Sequence, residues 1–267
     1  MTTADPSVVL PERPLALVTG ASSGLGKAIA QRLTADGYGV ILVARRAEVL
    51  QEIAKELPGA HVAAVDLLAP DGPAKLAAAV DALGGKLKVL VNNAGIGGRG
   101  TFADIGVEGY KRVFALNFDA QLRATEALLP ALRAASPSSV LIVSSVSGKI
   151  ARPKAGAYSA SKFALNGWAD ALRAEEAAHG VHVGTILPGF IATEGFPQAE
   201  LLAKRATRWL VGEPSQVADA AAYLIRTRRP ERHAPAPWRI ATVAVALAPR
   251  LVARLISRPE MVPSATE

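Results

Sequence analysis

Six short apolar runs separated by helical periods constrain this chain more than any other feature. They occupy residues 15–19, 40–44, 61–66, 89–92, 140–144 and 181–187. Each is nearly continuous in β-branched residues or leucine rather than alternating, as strands covered on both faces should be. Between them lie Ala/Leu/Glu/Arg-rich stretches such as 26–35, 47–57 and 163–178. Strands alternating with helices of this length need right-handed crossovers, hence a parallel sheet with helices on both sides. The expected fold is therefore α/β, a doubly wound Rossmann-type sheet over roughly the first 190 residues. Its 267 residues can bury one large core, and its 50% hydrophobic content excludes intrinsic disorder. With no cysteine there is no disulfide scaffold, thiolate metal site or cysteine nucleophile.

The first run leads straight into Thr19-Gly20-Ala-Ser22-Ser23-Gly24-Leu25-Gly26, and a helix follows. Glycines there permit a tight turn and close approach of the backbone to a pyrophosphate, which the free N–H groups of the helix start attract. A turn that is merely glycine-rich has the same composition. The position after a strand and before a helix favours phosphate. The second run ends in Arg45-Arg46, with no acid from Val40 to Ala47. An acid here suits the ribose hydroxyls of NAD, whereas arginine suits the 2′-phosphate of NADP. Solvated arginines at a helix start are the plainer alternative, but cations gain nothing from that end of the dipole. NADP(H) is favoured over NAD(H).

Four further segments bear polar chemistry. Asn92-Asn93-Ala94-Gly95 ends the fourth run, Asn117 lies in the helical stretch after it, and Ser144-Ser145 ends the fifth. Tyr158-Ser-Ala-Ser-Lys162 opens the next helix, and residues four apart share a helix face. A phenol with a pKa near ~10 is a poor acid/base at neutral pH, and a neighbouring ammonium favours its phenolate. Ser145 and Asn117 carry groups able to polarise a carbonyl or hold a relay water. Singly, a Tyr is more often packing and a Lys more often solvated. Together, at the carboxyl edge of a parallel sheet, they mark a site.

In this order and spacing, with thirteen residues from Ser145 to Tyr158, these motifs resemble the short-chain dehydrogenase/reductase family over about residues 15–225. Pro188-Gly-Phe-Ile191-Ala-Thr193 is similar to that family's nicotinamide-contacting segment. The resemblance implies an oxidoreductase in which Tyr158 is the general acid/base and Lys162 lowers its pKa and binds the nicotinamide ribose. Ser145 would hold the substrate oxygen, and Asn117 would support proton relay. Gly20, Ser22, Ser23, Gly24, Leu25 and Gly26 would line the diphosphate and adenosine side. Asp66 and Leu67 would meet the adenine, Asn93 and Gly95 its ribose, Ile191 and Thr193 the carboxamide, and Arg45 the 2′-phosphate. A non-catalytic NADP-binding sensor on the same fold is the competing reading, although it would not need Asn117, Ser145, Tyr158 and Lys162 together.

The formal charge of +7 is uneven: residues 1–200 hold 19 Lys+Arg against 18 Asp+Glu, and residues 201–267 hold 11 against 5. Residues 1–14 are expected to form an arm without secretory character, 15–235 the catalytic domain, and 236–267 a basic amphipathic tail. In that tail Arg250, Arg254 and Arg258 recur every four residues along a single helix. It would cap the subunit or pair with a second copy, or lie on an anionic membrane surface; nucleic acid has no recognition motif here. The lid near 190–212 carries Phe190, Phe196, Leu201, Leu202 and Trp209, which suggests an apolar carbonyl or alcohol substrate or ordinary packing. His61, His179, His182 and His233 form no metal-ligand set, so no metal is expected, and Glu175-Glu176 reads as a solvated helix face. A cytoplasmic homo-oligomer, possible peripheral membrane contact and a small-molecule substrate complete the expectation.

Overall fold

The computed structural model describes residues 13–194, 199–203, 205 and 208–256. The strands are β1 (Leu15–Thr19), β2 (Gly39–Ala44), β3 (Ala60–Ala64), β4 (Val89–Asn92), β5 (Ser138–Val143), β6 (Val181–Pro188), β7 (Phe190–Ile191), β8 (Val211–Gly212) and β9 (Glu231–Ala234). Seven of them form one parallel sheet in the order β3-β2-β1-β4-β5-β6-β9, and β7 pairs with β8 in a separate two-stranded ribbon. Helices α1 (Gly24–Ala35), α2 (Ala47–Lys55) and α8 (Pro214–Thr227) cover one face. On the other lie α3 (Gly72–Asp81), α5 (Ala120–Ala134) and α6 (Gly156–Glu176), with α4 (Phe102–Phe114) ahead of α5 and the short α7 (Ala199–Ala203) ahead of β8. This is the doubly wound α/β fold, and each of the six apolar runs coincides with a strand to within two residues.

Successive residues of β1, β2, β4, β5 and β6 feed opposite cores, so near-continuous hydrophobicity is what these strands require; β3, expected to be covered on both faces, instead lies at the sheet edge with only Ala63 buried. Leu17 and Ile41 pack with Leu76, Leu128 and Leu165; Val18 and Leu42 pack with Ile29, Leu33 and Leu224. Fully burying one such side chain is worth about 1.5–3 kcal/mol. Strand order runs outward from β1 to β3, then returns to β4. The carboxyl ends of β1 and β4 therefore diverge into a crevice, where ligands bind in open α/β sheets.

Three features depart from the sequence reading. Glu231–Ala234 is a seventh strand beside β6, although Glu-Arg-His-Ala is too polar to announce one. The tail is not one helix: Ala248 (φ −135°, ψ 59°) separates α9 (Trp238–Leu247) from α10 (Pro249–Ile256). Pro249 lacks an N–H and disfavours helical backbone in the residue before it. Arg250 and Arg254 lie in α10, while Arg258 falls outside the described residues, as do residues 1–12 of the arm. Finally, Glu176 is buried rather than solvated. Arg133 of α5 donates to it through two nitrogens, 2.9 Å and 2.5 Å from its oxygens, while Glu175 stays exposed.

Candidate active site

At the crevice, the ends of β1 and β4 are tied together by a threonine. The Thr19 hydroxyl donates to Val91 O (3.2 Å) and accepts from the amides of Asn93 (2.9 Å) and Ala94 (3.0 Å). The Asn93 side-chain amide donates back to Thr19 O at 2.8 Å. Two glycines are obligatory in the turn between β1 and α1. Gly20 sits at φ +66°, and a Cβ there would lie 2.9 Å from Asn93 Nδ2. A Cβ on Gly26 would overlap the Gly20 carbonyl oxygen. Ser23 precedes α1 in extended conformation, and its side chain does not cap the helix. The first N–H groups of α1 thus face the crevice with a positive dipole end, as an anion requires. This cradle, with Gly24 and Leu25 inside it, fits a dinucleotide pyrophosphate.

Around the cradle, Arg45 is exposed just beyond β2, and the Arg46 guanidinium donates to Ser22 Oγ at 3.3 Å. Sequence reasoning placed only Arg45 here; the signal for Arg46 was the arginine pair itself. Asp66 accepts from the Leu68 amide at 3.0 Å, and Leu67 is buried beside it after β3. Gly95 is exposed, and a Cβ on it would stand 3.0 Å from Asn117 Oδ1. Across the crevice, Ile191 is buried in β7, and Thr193 Cγ2 comes within 3.6 Å of where a Gly24 Cβ would be.

The second half of the site is held by β5 and α6. A turn at residues 146–148 follows Ser145, whose Oγ donates to Pro188 O (3.3 Å) and accepts from the Ser147 amide (3.0 Å). Tyr158 and Lys162 lie one turn apart near the start of α6. Lys162 Nζ is 5.6 Å from the Tyr158 ring centroid and donates to Val143 O at 2.8 Å. Burial lowers the Lys162 pKa to about 8. Burial raises that of Tyr158, against smaller opposing effects of a hydrogen bond with Ser145 and the charge of Arg152. Ser145, Tyr158 and Lys162 therefore converge.

Asn117 lies in a π-helical turn, Ala115–Asp119, and is fully buried. Its amide donates to Ile96 O (3.0 Å) and Ser161 Oγ (3.1 Å), and its Oδ1 accepts from the Ile96 amide (2.7 Å). Both N–H donors are committed, so this side chain braces the loop after β4 rather than polarising a carbonyl. Over the crevice, Phe190 is half-buried, and Leu202 and Trp209 are exposed; Phe196 lies outside the described residues. Trp238, the first residue of α9, meets the Phe190 ring edge-on at 5.1 Å and donates to Leu210 O at 2.9 Å. That contact has no counterpart among the sequence signals. His182 and His233 are buried and spoken for, by Arg229 O (2.9 Å) and Thr242 Oγ1 (3.0 Å).

A family model described as short chain dehydrogenase matches residues 14–201. The bovine dehydrogenase/reductase SDR family member 7B is 37% identical over 187 residues, covering 66% of this chain. A Drosophila melanogaster SDR family protein 7-like is 36% identical over 186 residues, 67% of this chain. The chain spans only 58% and 57% of the lengths of these two relatives. Among solved structures, a short-chain dehydrogenase from Streptomyces avermitilis superposes with a TM-score of 0.78 at 30% identity, covering 92% of this chain and 97% of that one. A variant of the actinorhodin polyketide ketoreductase, solved with NADPH, superposes with a TM-score of 0.71 at 32% identity over 80% of this chain and 90% of its own.

Proposed function

Because the chain belongs to the short-chain dehydrogenase family, we propose that it is an NADP(H)-dependent oxidoreductase acting on the carbonyl or alcohol carbon of an apolar substrate, with Tyr158 as general acid/base. The observation that carries this reading is the approach of the buried Lys162 ammonium, 5.6 Å from the ring centroid, to the half-buried Tyr158 phenol beside Ser145. When bound, the nicotinamide cofactor supplies or accepts the hydride. Gly20, Ser22, Ser23, Gly24, Leu25 and Gly26 hold its diphosphate. Asp66, Leu67, Asn93 and Gly95 take the adenosine end, and Ile191 and Thr193 the carboxamide. Ser145 holds the substrate oxygen by turning its hydroxyl away from Pro188 O, a bond of 3.3 Å. In the reducing direction Tyr158 donates its proton to that oxygen, and its raised pKa keeps it protonated at neutral pH. In the oxidising direction the phenol must first lose its proton, and the Lys162 ammonium stabilises the phenolate that results.

The test is NADPH consumption, followed by absorbance, with a panel of apolar ketones and aldehydes. Binding of NADPH without consumption on any of them would favour the sensor reading. Support for NADP over NAD comes from Arg45 and from Arg46 on Ser22. A 2′-phosphate would receive charge-assisted hydrogen bonds from both. Arg45→Asp is expected to weaken NADPH about 10–100-fold while changing NADH much less, read by fluorescence titration of each cofactor. Equal losses would remove the argument.

We extend the reading to the tail of what would be a cytoplasmic homo-oligomer. In α9, Ile240 (75% exposed), Val243 and Leu247 (81%) share an outward stripe, and Leu251 is exposed on α10. Arg239, Arg250 and Arg254 are exposed around it. Two such surfaces facing each other would oppose like charges, whereas anionic lipid would complement them, so a membrane surface is favoured over a second copy. No described helix is long and apolar enough to cross a bilayer. Replacing Leu247 and Leu251 by Asn in the full chain should abolish co-sedimentation with phosphatidylglycerol vesicles. Unchanged sedimentation, or a loss of dimers instead, would count against lipid.

A further inference from the structure

Arg152 lies outside the machinery just described. It is seven residues after Ser145, in the loop that leads into α6. Its guanidinium carbon stands 4.9 Å from the centroid of the Phe190 ring. Phe190 follows Pro188 by two residues, and Pro188 O accepts from Ser145, so this stack sets Arg152 against the segment that holds Ser145. Trp238 meets the same Phe190 ring edge-on. A guanidinium flat on an aromatic face keeps its N–H edge free for planar, bidentate acceptors.

The neighbours leave Arg152 without an anion. Lys149, in the same loop, pairs with Glu231 at 3.3 Å, and the Lys154 charge acts on Asp104. Among the described residues no carboxylate pairs with Arg152 and no acceptor takes its N–H groups. A second cation approaches it instead. The loop bearing Arg99 is pinned alongside, with the Gly100 amide donating to Lys154 O at 2.9 Å and Gly100 bridging to Ala155. Arg152 is solvent-exposed, yet crowding of its guanidinium by protein atoms and the charge of Arg99 both lower its pKa, while a charged Tyr158 would raise it. The stacked arginine is thus within electrostatic reach of the phenol.

We infer that Arg152 is a specificity residue that binds an oxyanion, carboxylate or phosphate monoester, carried by the substrate close to its reacting carbonyl. The substrate would then be an apolar chain with an anionic end rather than a neutral ketone. This inference rests on the oxidoreductase reading above.

The experiment compares kcat/KM with NADPH for matched pairs. One is 3-oxooctanoate against its methyl ester; the other is the phosphate ester of 1-hydroxyoctan-2-one against the free hydroxyketone. The anionic member of at least one pair is expected to be preferred about tenfold or more, and the pair with the larger ratio identifies the anion. Arg152→Ala should reduce that ratio about tenfold, and Arg152→Lys should restore part of it. Calorimetry on the NADP⁺-loaded protein with octanoate, octyl phosphate and octanol supplies a readout independent of turnover. Anion binding that is lost in Arg152→Ala upholds Arg152 as an oxyanion site even if no ketone is consumed, in which case it is the oxidoreductase reading that fails. Turnover with a ratio near one, unchanged by Arg152→Ala and without anion binding, overturns the inference and leaves that reading intact.

Discussion

Tyr158→Phe is expected to lower kcat for carbonyl reduction about 100–10,000-fold, the range lost when a positioned proton donor is removed. The substitution takes away one oxygen and keeps the ring, so the contact with Lys162 Nζ at 5.6 Å from the ring centroid remains available. NADPH affinity should therefore fall by no more than about tenfold, since a single hydrogen bond contributes about 0.5–1.5 kcal/mol. A wild type and variant with equal turnover would remove Tyr158 from the chemistry. The pH profile has a definite sign. Burial raises the phenol pKa above its ordinary value. Reduction, which consumes the phenol's proton, should hold across neutral pH and fall only in alkali. Alcohol oxidation needs the phenolate and should rise with pH over the same range. The bound oxidised cofactor, being positive at the ring, shifts the second curve toward lower pH.

Lys162→Met is expected to lower activity by a comparable factor while altering how stability depends on pH. In the folded, cofactor-free protein the ammonium is buried, and its pKa falls to about 8 from an unfolded value of 10.5. A depressed lysine pKa means that the unfolded chain binds more protons, so folding stability increases as pH rises between those two values. Below about pH 8 the folded state bears the full penalty of a buried charge. Between pH 7 and pH 10 the wild type should gain about 2–3 kcal/mol relative to Lys162→Met, because one pKa unit corresponds to about 1.4 kcal/mol. The Lys162 hydrogen bond to Val143 O shifts the two proteins by a constant and drops out of the comparison. Denaturant unfolding of both proteins at the two pH values measures it. Parallel stabilities would show that the amine is not desolvated.

The sheet was legible because a strand buried on both faces must be hydrophobic along its whole length, as five of the six runs are; the sixth, at residues 61–66, is a largely exposed edge strand that its valines and alanines still marked. Glu231–Ala234 escaped because an edge strand has only one buried neighbour and tolerates Glu, Arg and His. The glycine turn was legible for a related reason: Gly20 and Gly26 sit where any side chain would strike the backbone or Asn93. The Ser145–Tyr158–Lys162 set was legible from order and spacing. The work of Asn117 was not, since which partners its amide meets depends on the π-helical turn and on Ile96 and Ser161, which lie 21 and 44 residues away. Glu176 misled because its partner, Arg133, comes from another helix. Arg152 carried no sequence signal at all. Its meaning depends on Phe190, 38 residues later, and on the carboxylates that are not beside it.

Gly189 has a counterpart far down the chain: a side chain at this position would occupy the space of the Trp238 indole. That fit makes the end of β6 and the beginning of the tail a single inheritable unit. A chimera that swaps the segment after residue 237 for a relative's ending would leave a void beneath Phe190 unless an equivalent aromatic came with it. The reverse exchange, importing a β6 end that bears alanine at 189, would expel the indole and unseat α9. Recombination between this chain and its relatives therefore has an awkward breakpoint at 237 and a tolerable one near Ala248, where the helix is already interrupted.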